Sequence, residues 1–184
     1  MSDQSMSQAA TPRQVIVNRD IVDNRWIRVV ADEEGGVSVP ESGAVLLPYQ
    51  YWLGLYATQA GRDELAGREV AVCFAPDDEP ESLPVDANTF AMIACDFPAF
   101  TDGRGFSIGR LLRERYGFKG ELRAVGDVFK DTINYLARCG FNAFDVRSDK
   151  DIVEAAKGID DFTEFYQSSV DQPNPLFRRR AVAA

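Results

Sequence analysis

The chain has 184 residues, 45% hydrophobic and 27% charged, with a formal net charge of −9; this suits one globular domain and lacks the basic footprint that a nucleic-acid binder needs. There is no histidine, and the three cysteines, Cys73, Cys95 and Cys139, form no CxxC pair, which removes Ser–His and Cys–His nucleophile machinery, histidine-held haem and a four-cysteine iron–sulfur site within one chain. No apolar run approaches the roughly 18 residues of a membrane helix, and the polar start MSDQSMSQAATPRQ has no signal-peptide core, so a cytoplasmic protein away from membranes is expected.

Residues 1–13 read as a disordered tail rich in Ser, Gln and Ala. QVIVN and NRWIRVVA are β-branched runs and predict a strand pair that opens the domain. GAVLLPYQYWLGLYATQAG predicts an apolar run, then a helix started by Pro48 and closed by Gly61, with Trp52, Leu55, Tyr56 and Gln59 as its core-facing stripe. From residue 69 the pattern becomes regular. Four strand-like runs, EVAVCFA, TFAMIACDF, ELRAVGD and NAFDVR, are each followed by a connecting segment. The first connection, PDDEPESLPVDAN, is proline-interrupted; the others, SIGRLLRERYG, VFKDTINYLARCG and SDKDIVEAAKG, are helical. This alternation predicts an α/β fold of consecutive βα units around a mainly parallel sheet, open or a partial βα-barrel, with a short N-terminal β segment. A single domain over 14–167 is expected, DDFTEFYQSSV offering a last helix and residues 168–184 a basic, proline-broken tail. The cysteines lie in apolar runs and read as buried, reduced thiols.

In βα proteins, ligands collect beyond the carboxyl ends of the strands. TDGRGFSIGRLLRERYG, residues 101–117, stands at such a place. Gly103 and Gly105 would bring the backbone close to a ligand through positive φ, and the helix start would present N–H groups. Arg104 and Arg110 would add a bidentate grip and Ser107 a hydroxyl. Together with Asp102 they form a candidate site for a small anionic ligand: phosphate, sulfate, sulfite or a carboxylate. The third glycine comes one residue late for a dinucleotide fingerprint, and no GK[ST] is present. The plainer alternative stays open: Asp102 or Thr101 caps the helix and the glycines shape a turn. Strand-end logic also selects Asp96 and Asp127 for proton transfer, with Lys130 as the best-placed amine. Against these stand helix capping by Asp127 and Asp149 and a solvated helix surface for Lys130. Converging carboxylates would also suit a magnesium ion, although no residue set specifies a metal.

DGRG, RLLRERYG, GELRAVGDV and RCGF, in that order and spacing, resemble a bacterial family of uncharacterised proteins, a domain of unknown function. The likeness covers about residues 45–147, is densest from Asp96 to Phe144, and takes in LLPYQYW and APDDEPE upstream. Gly109-Arg110 stands where the family more usually has Ala-Arg, and Lys130-Asp131-Thr132 departs from its GDVxxDQ pattern. Members are labelled oxidoreductases and are commonly encoded beside assimilatory sulfite reductase. The resemblance therefore implies a role in sulfur assimilation and cysteine biosynthesis, with sulfite reductase as partner, and it supplies no catalytic residues. Two expectations follow. One is an accessory or interaction protein for sulfite reduction without redox chemistry of its own. The other is a small enzyme or binding protein for an oxyanion-bearing metabolite. A third, a flavin- or NADPH-dependent oxidoreductase, comes from the label alone, since no nicotinamide or flavin fingerprint is recognisable and the cofactor stays unassigned.

Overall fold

Six parallel strands, each laid beside the one before it, set the architecture. The computed structural model describes residues 13–32 and 36–182; the expected tail over 1–12 lies outside them. Strands β1 (Gln14–Val17) and β2 (Asp20–Asp23) form a hairpin, followed by β3 (Trp26–Arg28) and β4 (Ala44–Pro48). Helices α1 (Tyr49–Tyr56) and α2 (Gln59–Leu65) lead to β5 (Val70–Phe74) and β6 (Met92–Phe97). Then α3 (Arg104–Glu114), β7 (Glu121–Gly126), α4 (Lys130–Arg138), β8 (Ala143–Phe144), α5 (Ile152–Lys157) and α6 (Leu176–Val182) complete the chain.

The sheet order is β2-β1-β8-β7-β6-β5-β4-β3. Strands β3 to β8 are parallel, and β1 runs antiparallel to both β2 and β8. Every step from β3 to β8 moves one place in the same direction, so right-handed crossovers keep the helices on one face. The sheet curls into a half-barrel. Its two edge strands, β2 and β3, are separated by only Asn24 and Arg25.

Strand periodicity of two splits the interior in two. Outward residues such as Val72, Ile93, Cys95 and Leu122 pack under Ile108, Leu112, Ile133 and Leu136 of α3 and α4. Inward residues Leu46, Ala71, Cys73, Met92, Ala94 and Val125 form, with Trp26, a second cluster made of strand residues alone. Ala71, Cys73 and Ala94 in it leave the room that the narrower inner side of a curled sheet needs around Trp26, Leu46 and Met92. No helix among the described residues is long and apolar enough to cross a membrane.

Several local expectations are corrected. QVIVN pairs with Asp20–Asp23, while Trp26–Arg28 pairs in parallel with Ala44–Leu46 at the opposite edge. The helix expected to run to Gly61 breaks at Ala57, and the Thr58 side chain caps a new helix by accepting from Gly61 N–H at 3.0 Å. Gln59, placed in the core stripe, is exposed, whereas Trp52 is buried. Helix α3 begins at Arg104, three residues before the expected start. DDFTEFYQSSV is not helical; the last helix is α6.

Candidate functional site

The α3 entry loop holds its own charges. Gly103 is the N-cap residue with φ −91°, and Gly105 lies inside the helix, so neither uses the positive φ expected of it. Gly105 is needed for packing: a Cβ there would stand 2.6 Å from the Phe97 ring. Arg104 donates to Asp102 from Nε at 3.0 Å and Nη2 at 2.7 Å, and its Nη1 pairs with Asp77. Arg110 pairs with Glu114 at 2.9 Å, and Ser107 is exposed on α3. Both arginines thus carry carboxylate partners that an external anion would have to displace. The Arg104 hydrogen bonds hold the Asp102 carboxyl below the usual aspartate range.

The proposed proton-transfer residues are dispersed. Asp127 caps no helix; its Oδ2 accepts from Phe100 N–H at 2.8 Å and its Oδ1 from Arg147 at 2.7 Å. It thereby ties together the loops after β6, β7 and β8. The capping of α5 falls to Asp151, not Asp149, which pairs with Arg147. Lys130 opens α4, with its Cγ 3.1 Å from where Gly158 would carry a Cβ. Asp96 points the other way, to the inner face, and pairs with Arg28 at 2.9 Å.

That inner face holds what sequence reasoning missed. At the carboxyl ends of the parallel strands it brings Arg28 and Asp96 together, with Cys73 beside them, and it places Arg13 at 2.9 Å from Asp145. Gly126, at φ +97°, makes room for Asp96, whose Oδ1 would lie 2.8 Å from a Cβ there. The Asp145 side chain is 8% exposed, and its Oδ1 has the Arg13 ion contact but no hydrogen bond. Burial pushes the Asp145 carboxyl up, against the pull of Arg13, Arg123 and Arg28. Burial pushes the Cys73 thiol up to about 12 and Cys95 and Cys139 upward as well, so all three stay protonated at neutral pH. The available signal was parity: Arg123 and Asp145 are charges at inward positions of apolar strands, as is Asp96. Among the described residues no three His, Cys, Asp or Glu side chains converge as a metal would require.

Beside the mouth, between the starts of α3 and α4, lies an aromatic surface. Phe100 packs on Phe129 with ring centroids 5.6 Å apart, and Phe106 on Tyr135 at 4.9 Å. Phe100 is 62% exposed and Tyr135 56%. Asp127 fixes the Phe100 backbone, and Asp131 adds an exposed carboxylate in the first turn of α4.

A family model described as a bacterial protein of unknown function (DUF934) matches residues 71–177, more than half of the chain. No curated protein and no solved structure matches it.

Proposed function

The chain belongs to the DUF934 family of bacterial proteins, and from that premise we propose that it serves assimilatory sulfite reduction by docking to the reductase rather than by carrying electrons. The pathway comes from the resemblance of DGRG, RLLRERYG, GELRAVGDV and RCGF to proteins encoded beside that enzyme. The mode of action comes from one observation: two aromatic pairs, Phe100 on Phe129 and Phe106 on Tyr135, lie within the same segment and leave Phe100 and Tyr135 exposed. Exposed aromatic side chains flanked by carboxylates match the make-up of interface centres and rims. The net charge of −9 would steer the protein toward a basic partner surface. Its three thiols are buried and protonated, which suits a protein that leaves electron transfer to the cofactors of its partner. On this reading it works in the cytoplasm, with neither membrane nor nucleic acid as partner.

The test is electron consumption by the cognate sulfite reductase with sulfite, with and without stoichiometric protein. A faster rate, or a requirement for the protein, is expected. The double variant Phe100→Ala, Tyr135→Ala should lose that effect while keeping the wild-type thermal midpoint. No effect on a reductase shown to be active would sink the proposal. It would shift the protein to a second reading, a binding protein or enzyme for an oxyanion-bearing metabolite. That reading is favoured by the incompletely hydrogen-bonded Asp145 among Arg13, Arg28 and Arg123 at the mouth of the half-barrel.

A further inference from the structure

At the amino ends of the parallel strands, away from the loops described above, a cavity of about 560 Å³ opens between α4, the β1–β2 turn and the segment after α5. Its volume lies in the range of small-molecule sites. The buried Phe141 and Phe144 line it, together with Phe165, whose ring is held by the Arg138 guanidinium 3.9 Å from its centroid.

Hydrogen-bond accounting sets its polar lining. Arg113 Nη2 at 2.9 Å and Leu122 N–H at 2.7 Å both donate to Asn142 Oδ1. The Asn142 amide nitrogen must therefore face Asn18, and it donates to Asn18 Oδ1 at 3.0 Å. Asn18 keeps an NH₂ group to which no described acceptor is bonded. Asn134 donates its own NH₂ to Ile159 O at 3.1 Å and keeps Oδ1 as an acceptor. One amide donor and one amide acceptor among aromatic rings suit a flat heteroaromatic ring with a mixed hydrogen-bonding edge.

The rim carries a cation in an unusual setting. Asn18 and Arg19 both have positive φ, 49° and 78°. A two-residue hairpin turn of this kind usually places glycine at the second position, where an L side chain is disfavoured. Arg19 occupies it nonetheless, and its guanidinium crosses to Asp160 at 2.7 Å, with both side chains largely exposed. As at Arg104 and Arg110, a bound anion has to displace the carboxylate, here Asp160; so exposed a pair holds weakly, and a phosphate offers the guanidinium a stronger, bidentate partner.

We propose that this cavity binds a nucleotide, its base against Phe165 and the exposed Phe162 with the hydrogen-bonding edge on Asn18 and Asn134, and its phosphate on Arg19. The test is equilibrium dialysis of the full chain against the four ribonucleoside 5′-monophosphates, the matching nucleosides and inorganic phosphate. At least one monophosphate should bind below about 1 mM. Arg19→Gly should weaken that binding roughly tenfold or more and leave the matching nucleoside unaffected. Because glycine suits the turn, the same variant should match or exceed the wild-type thermal midpoint, which separates a lost contact from a lost fold. Absence of monophosphate binding, unchanged affinity in Arg19→Gly, or inorganic phosphate binding as tightly as the nucleotide would each overturn the proposal.

Discussion

Burial raises the Asp145 carboxyl above its ordinary range, and the Arg13, Arg123 and Arg28 guanidiniums offset this only in part. The native state therefore holds the Asp145 proton at pH values where the unfolded chain has released it. Stability from this group is fully present below the unfolded aspartate value, about 3.9, and is lost as pH rises through the higher folded value. Asp145→Asn should remove that dependence. Its stability relative to wild type, read from urea unfolding at stepped pH, should improve from about pH 4 upward and then level off. A difference that is flat across this range would refute the assignment. Other residues in the family motifs act as braces. Arg113 donates to Gly140 O, Phe118 O, Gly120 O and Asn142 Oδ1, and so holds together the turns that lead into β7 and β8. Gly140 at φ +100° leaves no space for a side chain beside Arg113.

Among the elements, two helical glycines test which contacts the helices depend on. Gly105 on α3 lies against the buried Phe97 ring, whereas Gly54 on α1 is exposed with nothing within 4 Å of a Cβ. Gly54→Ala should raise stability by about 0.5–1 kcal/mol, because only backbone entropy changes. Gly105→Ala should lower it by about 1–3 kcal/mol, since overpacking against Phe97 outweighs the helix preference of alanine. Denaturant midpoints of the two variants check both signs. If Gly105→Ala were also stabilising, close packing of α3 on β6 would not be what fixes the start of the Arg104 helix.

Across the whole molecule, the curl of the sheet is fastened near its seam. Arg123 on β7 is 3% exposed, pairs with Glu121 at 2.5 Å and donates at 2.8 Å to Asn24, in the short link between the edge strands β2 and β3. Asn24 Oδ1 also accepts from Trp26 N–H at 3.1 Å. Arg123→Ala should cost about 3 kcal/mol, because it leaves Glu121 and Asn24 without their cation. Combining Glu121→Gln with Arg123→Met should restore part of the loss in urea unfolding. A double variant no better than Arg123→Ala would place the cost elsewhere.

The sequence by itself determined the βα alternation from residue 69, the mainly parallel sheet and the burial of the three cysteines, because periodicity and apolar runs are local signals. It also carried the family motifs, read from DGRG to RCGF. Tertiary structure alone decided that Trp26–Arg28 leaves the N-terminal hairpin for the far edge, since partner choice depends on how the sheet curls. It decided too that Arg104 is held by Asp77 and Asp102, a pairing across 27 positions for Asp77 that spacing does not reveal. Arg13, Arg28, Asp96 and Asp145 meet at one mouth only because β1, β3, β6 and β8 curve around a shared inner face. Charged residues alternating with apolar ones on separate strands show their parity in the sequence, but the distances between strands arise only when the sheet closes around them.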